Sequence, residues 1–365
     1  MKKLVRPVQK VNAEVVGLDV HQDLIVFTWM NRQGEELEQG SLEGTKEALT
    51  ELLDRLESPV HVSFEAGRGT FWVYDVLVER LGSEFVHVAQ PKKIRAIANS
   101  TQKNDFNDSW WLAYLTYEGR LPECYVPTGT MRELRIAVRE RFEVVKLTTR
   151  AKVRLRSHLA QMGVRLPTRK IDSIAGWNAL VDLTESREGV QSQAVAHYLA
   201  LLEHLLCSLQ EWEAVIEELA KDLPVVRTLR EEMPGVGRAL SAVIAAELGP
   251  IERFHSPKKM GRYTGLTPSE RSSAGRHAPG SITREGSGHL RWALTQAAMG
   301  CLRSRSGPGL AVGNWIRAKE RRMGCKGKAR VAGARKLVES IWRLIHWGEC
   351  FDAAKPFGGI PIEAR

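Results

Sequence analysis

The chain has 365 residues, more than the roughly 250 to 300 that one hydrophobic core usually serves, so we expect more than one domain. Its 43% hydrophobic and 26% charged residues are ordinary for globular proteins and exclude a mainly disordered, collagen-like or purely coiled-coil chain. The net charge of +10 is unevenly divided, with −5 over residues 1–130, +9 over 131–170, −8 over 171–250 and +14 over 251–365. Such segregated positive charge favours a nucleic-acid partner over the alternative that the chain is basic merely for solubility.

The sequence contains no segment that resembles a signal peptide or a membrane span. Its basic start is followed by an apolar stretch that Glu14 and Asp19 interrupt. We therefore expect a cytoplasmic protein without a membrane partner. The five cysteines are odd in number and widely spaced, with no CxxC pair, so we expect them to be reduced and to form neither disulfides nor a zinc cluster.

The first 125 residues alternate strand-like and helix-like patterns. The first two strand-like runs are separated only by His21 and Gln22, which predicts an antiparallel hairpin. The predicted strands lie at residues 13–20, 23–30, 36–42, 59–66 and 84–89, and the predicted helices at 45–57, 70–82 and from 108 onward. Residues 1–125 are thus predicted to form a mixed α/β domain with strands of both directions.

Two long helical patterns dominate residues 126–230, which we predict to be a separate helical region. Residues 131–163 form a helix rich in arginine, and residues 191–222 form an acidic and apolar one. The apolar stripe of the second helix predicts a coiled-coil-like arm or dimer contact, or equally a core within the chain.

Residues 231–365 are rich in Gly, Ser and Arg and are predicted to form a third, mainly α-helical domain. The segment Pro234–Gly237 (PGVG) precedes an apolar, Ala-rich helical pattern. This arrangement is typical of a helix-hairpin-helix, in which backbone N–H groups at a helix N-terminus receive a phosphate, and equally of a plain connection between two helices.

Four acidic residues of the first domain stand out by position. Asp19 and Glu65 end apolar strands, where an unpartnered charge would be costly. Asp105 and Asp108 are three residues apart at the start of a helical pattern, which puts their side chains on one face, about 5 to 6 Å apart at Cβ. Each alone is also explained as a helix cap, a first-turn charge or a turn residue, but a converging set would suit Mg²⁺ and phosphoryl transfer.

This constellation resembles the ribonuclease H-like, RuvC-like nucleases, and the chain as a whole resembles the DEDD transposases of bacterial insertion sequences, relatives of Piv-type DNA invertases that include bridge-RNA-guided recombinases. The resemblance covers most of the chain. It is carried by GLDVHQ, FEAG, KNDFND, PGVGRALSAVIAAELG, YTGLTPSERSSAGR and SITREGSGHLRWAL, in that order. Phe106, Asn107 and Ser109 depart from the residues usual around the last acid pair.

The resemblance implies a set of site residues. Asp19, Glu65, Asp105 and Asp108 would bind Mg²⁺, and Ser273 would be the nucleophile, with Ser272 beside it as the alternative. Arginines near this serine would bind phosphate oxygens. The residues expected to contact nucleic acid are Lys103, Gly235, Gly237, Arg262, Arg271, Arg276, Arg284 and Arg291. From the residues alone, a flexible polar turn is the favoured explanation of Ser272 and Ser273, and only the resemblance reverses that preference.

The resemblance also implies partners and an assembly. Family members act on target and donor DNA at the bacterial nucleoid, are guided by a noncoding RNA, and assemble as dimers or tetramers in which the acids of one protomer meet the serine of another. Strand exchange would pass through a 5′-phosphoserine link. Two alternatives are a Holliday-junction-type nuclease that uses water as the nucleophile and a nucleic-acid-binding regulator whose acids have lost catalysis.

Overall fold

A computed structural model of the chain describes residues 10–56, 59–97, 105–168, 171–186, 188–273 and 276–353, with the side chains of 95–97 and 270–279 outside the description. The chain divides into two compact units, Met1–Val126 and Pro127–Arg365. The three-part division at residues 125 and 230 stays a prediction. Among the described residues, no helix combines the length and the apolar character needed to cross a bilayer.

The first unit is built on a five-stranded mixed sheet. Its strands are β1 (Glu14–Val20), β2 (Leu24–Met30), β3 (Glu36–Glu43), β4 (Val60–Glu65) and β5 (Val86–Ala89). They lie in the order β3-β2-β1-β4-β5, with β1, β4 and β5 parallel and the β1–β2–β3 meander antiparallel. The predicted hairpin and the predicted mixture of strand directions are both confirmed, and the arrangement is compatible with a RuvC-like domain.

Helices cover both faces of this sheet. They are α1 (Lys46–Asp54), α2 (Thr70–Leu81), α3 (Pro91–Ile97) and α4 (Asp105–Tyr117). Side chains of α1 and α2 pack on the face formed by Val16, Leu18 and Phe64. On the other face, Ala113 of α4 packs with Val15. The strands thus alternate between two buried faces, and residues at odd positions of β1 face α4.

The second unit is mainly helical. Its helices are α5 (Gly129–Gln161), α6 (Ile174–Ser186), α7 (Val190–Ala220), α8 (Pro224–Glu232), α9 (Arg238–Leu248), α10 (Pro257–Tyr263), α11 (Gly288–Arg303), α12 (Gly307–Met323) and α13 (Lys326–Trp347). A two-stranded antiparallel hairpin, β6 (Pro268–Ser273) and β7 (Arg276–Ile282), interrupts them. The sequence analysis did not predict this hairpin, because its strands are polar and lack the alternation of apolar residues that marks a half-buried strand.

The long helices α5 and α7 run through two separate cores. Leu134 and Phe142 in the first half of α5 belong to a core shared with α9, α11 and α13, whereas Leu155 in its second half packs with α6 and α7. In α7, Val195 and Leu202 belong to the smaller core. The apolar stripe of residues 191–222 therefore packs against other helices of the same chain, as the intramolecular alternative predicted. The second half of α5, α6 and the first half of α7 form a three-helix bundle with its own core.

The five cysteines differ in exposure, from buried Cys301 to exposed Cys207 and Cys350. None of the five, all of which lie within the described ranges, forms a disulfide. Cys301 is buried in the larger core, and burial raises the pKa of its thiol to about 12. A thiol that stays protonated at neutral pH is a weak nucleophile and a weak metal ligand.

Candidate functional site

Two of the predicted acids, Asp19 and Glu65, lie near the ends of the neighbouring strands β1 and β4. Asp19 is the sixth residue of β1, on the face that α4 covers, and its side chain is only 15% exposed. Glu65 is the last residue of β4 and follows Phe64, which pairs in parallel register with Leu18. Because neighbouring strands lie about 4.8 Å apart and residues in register point to the same face, Glu65 lies beside Asp19 on the side of α4.

Helix α4 brings the other two acids to the same place. It begins at Asp105, and Asp108 lies in its first turn, as predicted. The buried Ser109 hydroxyl lies 2.8 Å from the Thr28 hydroxyl of β2. The Gln39 amide of β3 donates to the Thr28 hydroxyl at 2.9 Å and to the Phe106 carbonyl at 3.1 Å. These bonds fix the first turn of the helix to two strands.

A close backbone contact explains the glycine of the first motif. A Cβ atom at Gly17 would lie 2.1 Å from the Ser109 carbonyl oxygen and 2.5 Å from the Ala113 nitrogen. Real Cβ contacts of this length do not occur, so β1 and α4 can approach this closely only because residue 17 is glycine. Gly17 is two residues before Asp19, and Ser109 is one residue after Asp108, so this contact lies next to the acids.

Asp19, His21 and Asp105 form a compact cluster. The His21 Nε2 atom lies 3.1 Å from the Asp19 Oδ2 atom and 3.6 Å from the Asp105 Oδ2 atom. One ligand atom of each residue lies within 4.8 Å of the other two. In the sequence, His21 marks only the turn between two strands, although it belongs to the GLDVHQ motif. A turn histidine has no periodic signal, and its position two residues after a buried aspartate was the available clue.

The electrostatics of Asp19 place the remaining acid near the cluster. Burial is the largest cause that raises the pKa of Asp19, and the charges of Asp108 and Asp105 raise it further, while His21 lowers it. Asp108 therefore lies close enough for its carboxylate to repel that of Asp19. A half-buried group of carboxylates that repel each other is stabilised by a cation.

The donor set fits a divalent metal ion. Carboxylate oxygens are the ligands of hard cations such as Mg²⁺, and the imidazole of His21 extends the set toward ions that accept nitrogen. Asp19 and Asp105 would hold the ion directly, with Asp108 and Glu65 at the edge of the cluster. Lys103 of the same motif lies outside the described residues.

The predicted serine lies in the second unit. Ser273 is the last residue of β6 and pairs with Arg276, the first residue of β7, while Ser272 pairs with His277. Both serines thus belong to a hairpin rather than to a turn alone. The side chains of both serines, and those of Arg271 and Arg276, lie outside the described residues.

Two of the predicted arginines, Arg284 in the loop after this hairpin and Arg291 in the first turn of α11, have different surroundings. One guanidinium nitrogen of Arg291 donates to the carbonyls of Glu285 at 2.9 Å and Gly286 at 3.0 Å, with Thr264 at 3.5 Å. Arg284 is exposed and is the single described non-glycine residue with positive φ, at 55°. Burial, followed by the Arg284 charge, lowers the pKa of Arg291. Arg291 therefore fixes the loop, and Arg284 presents its charge to solvent, as does Arg262.

The two predicted glycines of PGVG also differ in how closely other atoms approach them. Gly235 has φ +76°, and a Cβ there would lie 2.2 Å from the Ala297 carbonyl oxygen of α11. Gly237 caps the N-terminus of α9 in extended conformation, with no heavy atom within 4 Å of an added Cβ. Close packing thus accounts for Gly235, whereas the space beside Gly237 is open.

The second unit contains one buried acid that the sequence analysis missed. Glu247 of α9 is 1% exposed and accepts two hydrogen bonds from the Arg139 guanidinium of α5, at 2.8 and 3.0 Å. Burial alone would raise the pKa of Glu247, but hydrogen bonds from His289 and Arg139 and the nearby charge of Arg135 lower it to about 2. This ionised group joins helices α5, α9 and α11.

Models of known protein families match two separate regions of the chain, one with the acids and one with the serines. A DEDD transposase model of the IS110 type matches residues 16–164, which include all four acids. A second model, described as the transposase IS116/IS110/IS902 family, matches residues 227–310, which include PGVG and both serines. Together the two matches span more than half of the chain. The chain belongs to the IS110-type DEDD transposases.

Individual transposases are similar to this chain over longer stretches, in one case over almost its whole length. The chain is 23% identical over 346 residues to the transposase for insertion sequence element IS1328 of Yersinia enterocolitica, and the match covers 93% of this chain and 99% of that protein. The chain is 27% identical over 298 residues to y4qE of Sinorhizobium fredii, whose description names a transposase. The match covers 78% of this chain and 70% of that protein. Over 125 residues the chain is 32% identical to y4pF/y4sB of the same species, also described as a transposase. This match covers 34% of the chain and 32% of that protein. The enzyme is therefore a DNA transposase that cleaves and transfers DNA.

Proposed function

We propose that this transposase is an RNA-guided recombinase of an insertion sequence that cleaves and rejoins DNA through a 5′-phosphoserine intermediate. The observation that carries the proposal is the convergence of Asp19 and Asp105 on His21, with Asp108 close enough to raise the pKa of Asp19. Burial and the charges of Asp108 and Asp105 raise the pKa of Asp19, so the metal-free cluster destabilises the unit in which it lies.

The acids and the serine are assigned different roles. Asp19 and Asp105, with Asp108 and Glu65 at the edge of the cluster, would hold Mg²⁺, which when bound would neutralise charge on the phosphate that reacts. The Ser273 hydroxyl loses its proton and attacks the phosphorus, one P–O bond to the 3′ oxygen breaks, and the 3′ hydroxyl leaves with a proton. Because one phosphodiester bond replaces another, rejoining needs no external energy source. Ser272 is the alternative nucleophile.

Charge supports the nucleic-acid partners. The net charges of +9 over residues 131–170 and +14 over 251–365 give the second unit the surface that a guide RNA and two DNA duplexes require. The exposed Arg262 and Arg284 are the described arginines best placed to contact phosphate, with Arg271, Arg276 and the open N-terminus of α9 at Gly237 as further contacts. We further propose that the transposase acts as a dimer or tetramer.

Trapping of a covalent protein–DNA adduct tests the nucleophile. Wild type incubated with guide RNA and a nicked target should give an adduct on a denaturing gel, and Ser273→Ala should not, whereas Ser272→Ala should retain it. An adduct that persists in Ser273→Ala and disappears in Ser272→Ala moves the nucleophile by one residue. Cleavage without an adduct in every protein would instead identify a nuclease that uses water.

Omission of the guide tests the RNA. With the guide RNA left out, or with its pairing loops scrambled, strand transfer should fall to background while binding to DNA persists at low salt. Transfer that is equally efficient without RNA would contradict guidance and leave the serine chemistry intact.

A further inference from the structure

A second group of metal-binding side chains lies on the sheet of the first unit, away from the acid cluster. The His61 Nδ1 atom of β4 lies 2.8 Å from the His87 Nε2 atom of β5. The His87 Nδ1 atom lies 2.7 Å from the Glu123 Oε1 atom. The three side chains thus form a continuous chain across three neighbouring backbone segments.

The sheet register puts all three residues on one face. Ser63 pairs with His87 and Glu65 with Ala89 in the parallel β4–β5 ladder, and Ala89 bridges to Glu123. Since side chains alternate along a strand, His61, His87 and Glu123 share the face of Glu65. Four residues along β4 separate His61 from Glu65, which is about 13 Å and too far for one shared ion.

The backbone around the group is rigid. The Cys124 nitrogen donates to the Val88 carbonyl at 2.7 Å and the Gln90 nitrogen donates to the Pro122 carbonyl at 2.8 Å, so the segment with Glu123 is held to β5 on both sides of the bridge. The ring of His61 also contacts the edge of Phe85. Fixed donors lose little entropy when they bind an ion.

We propose that His61 and His87 bind one divalent transition-metal ion of the Zn²⁺ type through the two ring nitrogens that face each other, with Glu123 orienting the His87 ring. Two imidazoles on Zn²⁺ at about 2.0–2.1 Å place their nitrogens roughly 3.4 Å apart in a tetrahedral site, so the two nitrogens, now 2.8 Å apart across a hydrogen bond, would separate by about 0.6 Å to admit the ion. A carboxylate that accepts from the second nitrogen of a metal-binding histidine is the usual outer partner of such sites. Waters complete the coordination.

The protonation states suit this ligand set. With its Nδ1–H donated to Glu123, neutral His87 presents a lone pair at Nε2. His61 needs only to move its proton from Nδ1 to Nε2, so a neutral pair binds the ion without releasing a proton. A bound ion would join β4 to β5 near the start of β4, at the opposite end of that strand from Glu65.

Calorimetric titration of the full-length protein with Zn²⁺ tests the site. The titrations are run in excess Mg²⁺ and in the Asp19→Asn/Asp105→Asn background, so that binding of Zn²⁺ to the acid cluster does not contribute to the measured heat. Adding His61→Gln and His87→Gln should remove one zinc-binding site, and the surface control His204→Gln should remove none. An unchanged number of sites and unchanged affinity in the double histidine variant would overturn the proposal.

A milder variant decides the matter if the double histidine variant does not fold. The Glu123 side chain is 56% exposed, so Glu123→Gln should fold as wild type does and lower the affinity for Zn²⁺ roughly 10- to 100-fold. Zinc affinity equal to that of the background protein would count against the site. Because the readout is metal binding, its outcome is independent of whether Ser273 acts as the nucleophile.

Discussion

Gly17 of β1 lies directly against the carbonyl group of Ser109 in α4, so closely that a Cβ atom at residue 17 would be 2.1 Å from the Ser109 oxygen. This contact sets the separation between the strand that carries Asp19 and the helix that begins at Asp105. The acid cluster therefore depends on a residue that has no functional group of its own.

Gly17→Ala should push α4 away from β1. Overpacking of this kind costs about 1–3 kcal/mol, and the displaced helix should also weaken Mg²⁺ binding and strand transfer. Chemical denaturation and an Mg²⁺-dependent thermal shift measure the two effects. Gly327→Ala is the matched control, because no atom lies within 4 Å of its added Cβ and alanine suits its helix. Equal stability of the two variants would argue that α4 does not depend on this contact.

Asp19→Asn should stabilise the metal-free protein and abolish its response to Mg²⁺. A carboxyl group whose pKa is raised on folding binds its proton more tightly when folded, so stability falls as pH rises from the ordinary value of 3.8 through the raised value. The variant should therefore melt at a higher temperature than wild type at pH 7, and the two should converge below pH 3.8. Exposed Asp23→Asn serves as the control. A lower melting temperature for Asp19→Asn at pH 7 would contradict this account.

His21→Ala should weaken metal binding without removing an acid. The imidazole lies between two carboxylates and helps to orient both, so its loss should lower Mg²⁺ affinity roughly 10- to 100-fold. The pKa of the Asp19 carboxyl should rise further, because His21 is the neighbour that lowers it. Magnesium titration and carboxyl NMR measure the two effects. Full activity and unchanged affinity in His21→Ala would remove His21 from the site.

Glu247→Gln should destabilise the second unit at neutral pH. A carboxyl group with an ordinary pKa of 4.5 that falls to about 2 on folding contributes roughly 3 kcal/mol, fully present above pH 4.5 and lost as pH falls toward 2. Denaturant unfolding at pH 7 should show this loss, and the difference between variant and wild type should shrink in acid. Exposed Glu252→Gln should change stability by less than about 0.5 kcal/mol. A pH-independent difference would assign the effect to packing.

Arg284 and Arg291 should respond in opposite ways. Arg291→Ala removes the donor that binds the Glu285 and Gly286 carbonyls, so it should lower the melting temperature. Arg284→Ala should leave stability close to wild type, weaken DNA binding evenly across sequences and reduce the salt slope of affinity by about 1. Melting curves and binding assays over a range of salt concentrations separate the two. A stable Arg291→Ala with reduced salt dependence would reverse the assignment.

Much of the first unit could be predicted from local pattern. The apolar alternation of β1 and β2 predicted their hairpin, and the pair Asp105 and Asp108 marked the start of α4, where acidic side chains favour a helix N-terminus. The adjacency of Asp19 to Asp105 depends on how α4 crosses the sheet. That arrangement is set by buried contacts such as Thr28 with Ser109, which no periodicity records.

Other features lay beyond pattern for physical reasons. The hairpin that carries Ser273 is polar and contains Pro279, which strands usually avoid. Glu247 lies in an apolar, Ala-rich helix, and its burial is explained by partners distant in sequence, Arg139 and His289. The apolar stripe of α7 predicted burial correctly, but the partner surface was supplied by α5 and α6 of the same chain.

Helix α5 has a mechanical consequence. Its 33 residues form one continuous rod about 50 Å long that is anchored in one core at its start and in the other at its end. Because Gly129 is its first residue and no proline interrupts it, the rod has no hinge of its own. The three-helix bundle and the larger core of the second unit are therefore joined by a continuous helix, so a displacement of the bundle would be transmitted along α5 to the Arg139–Glu247 ion pair.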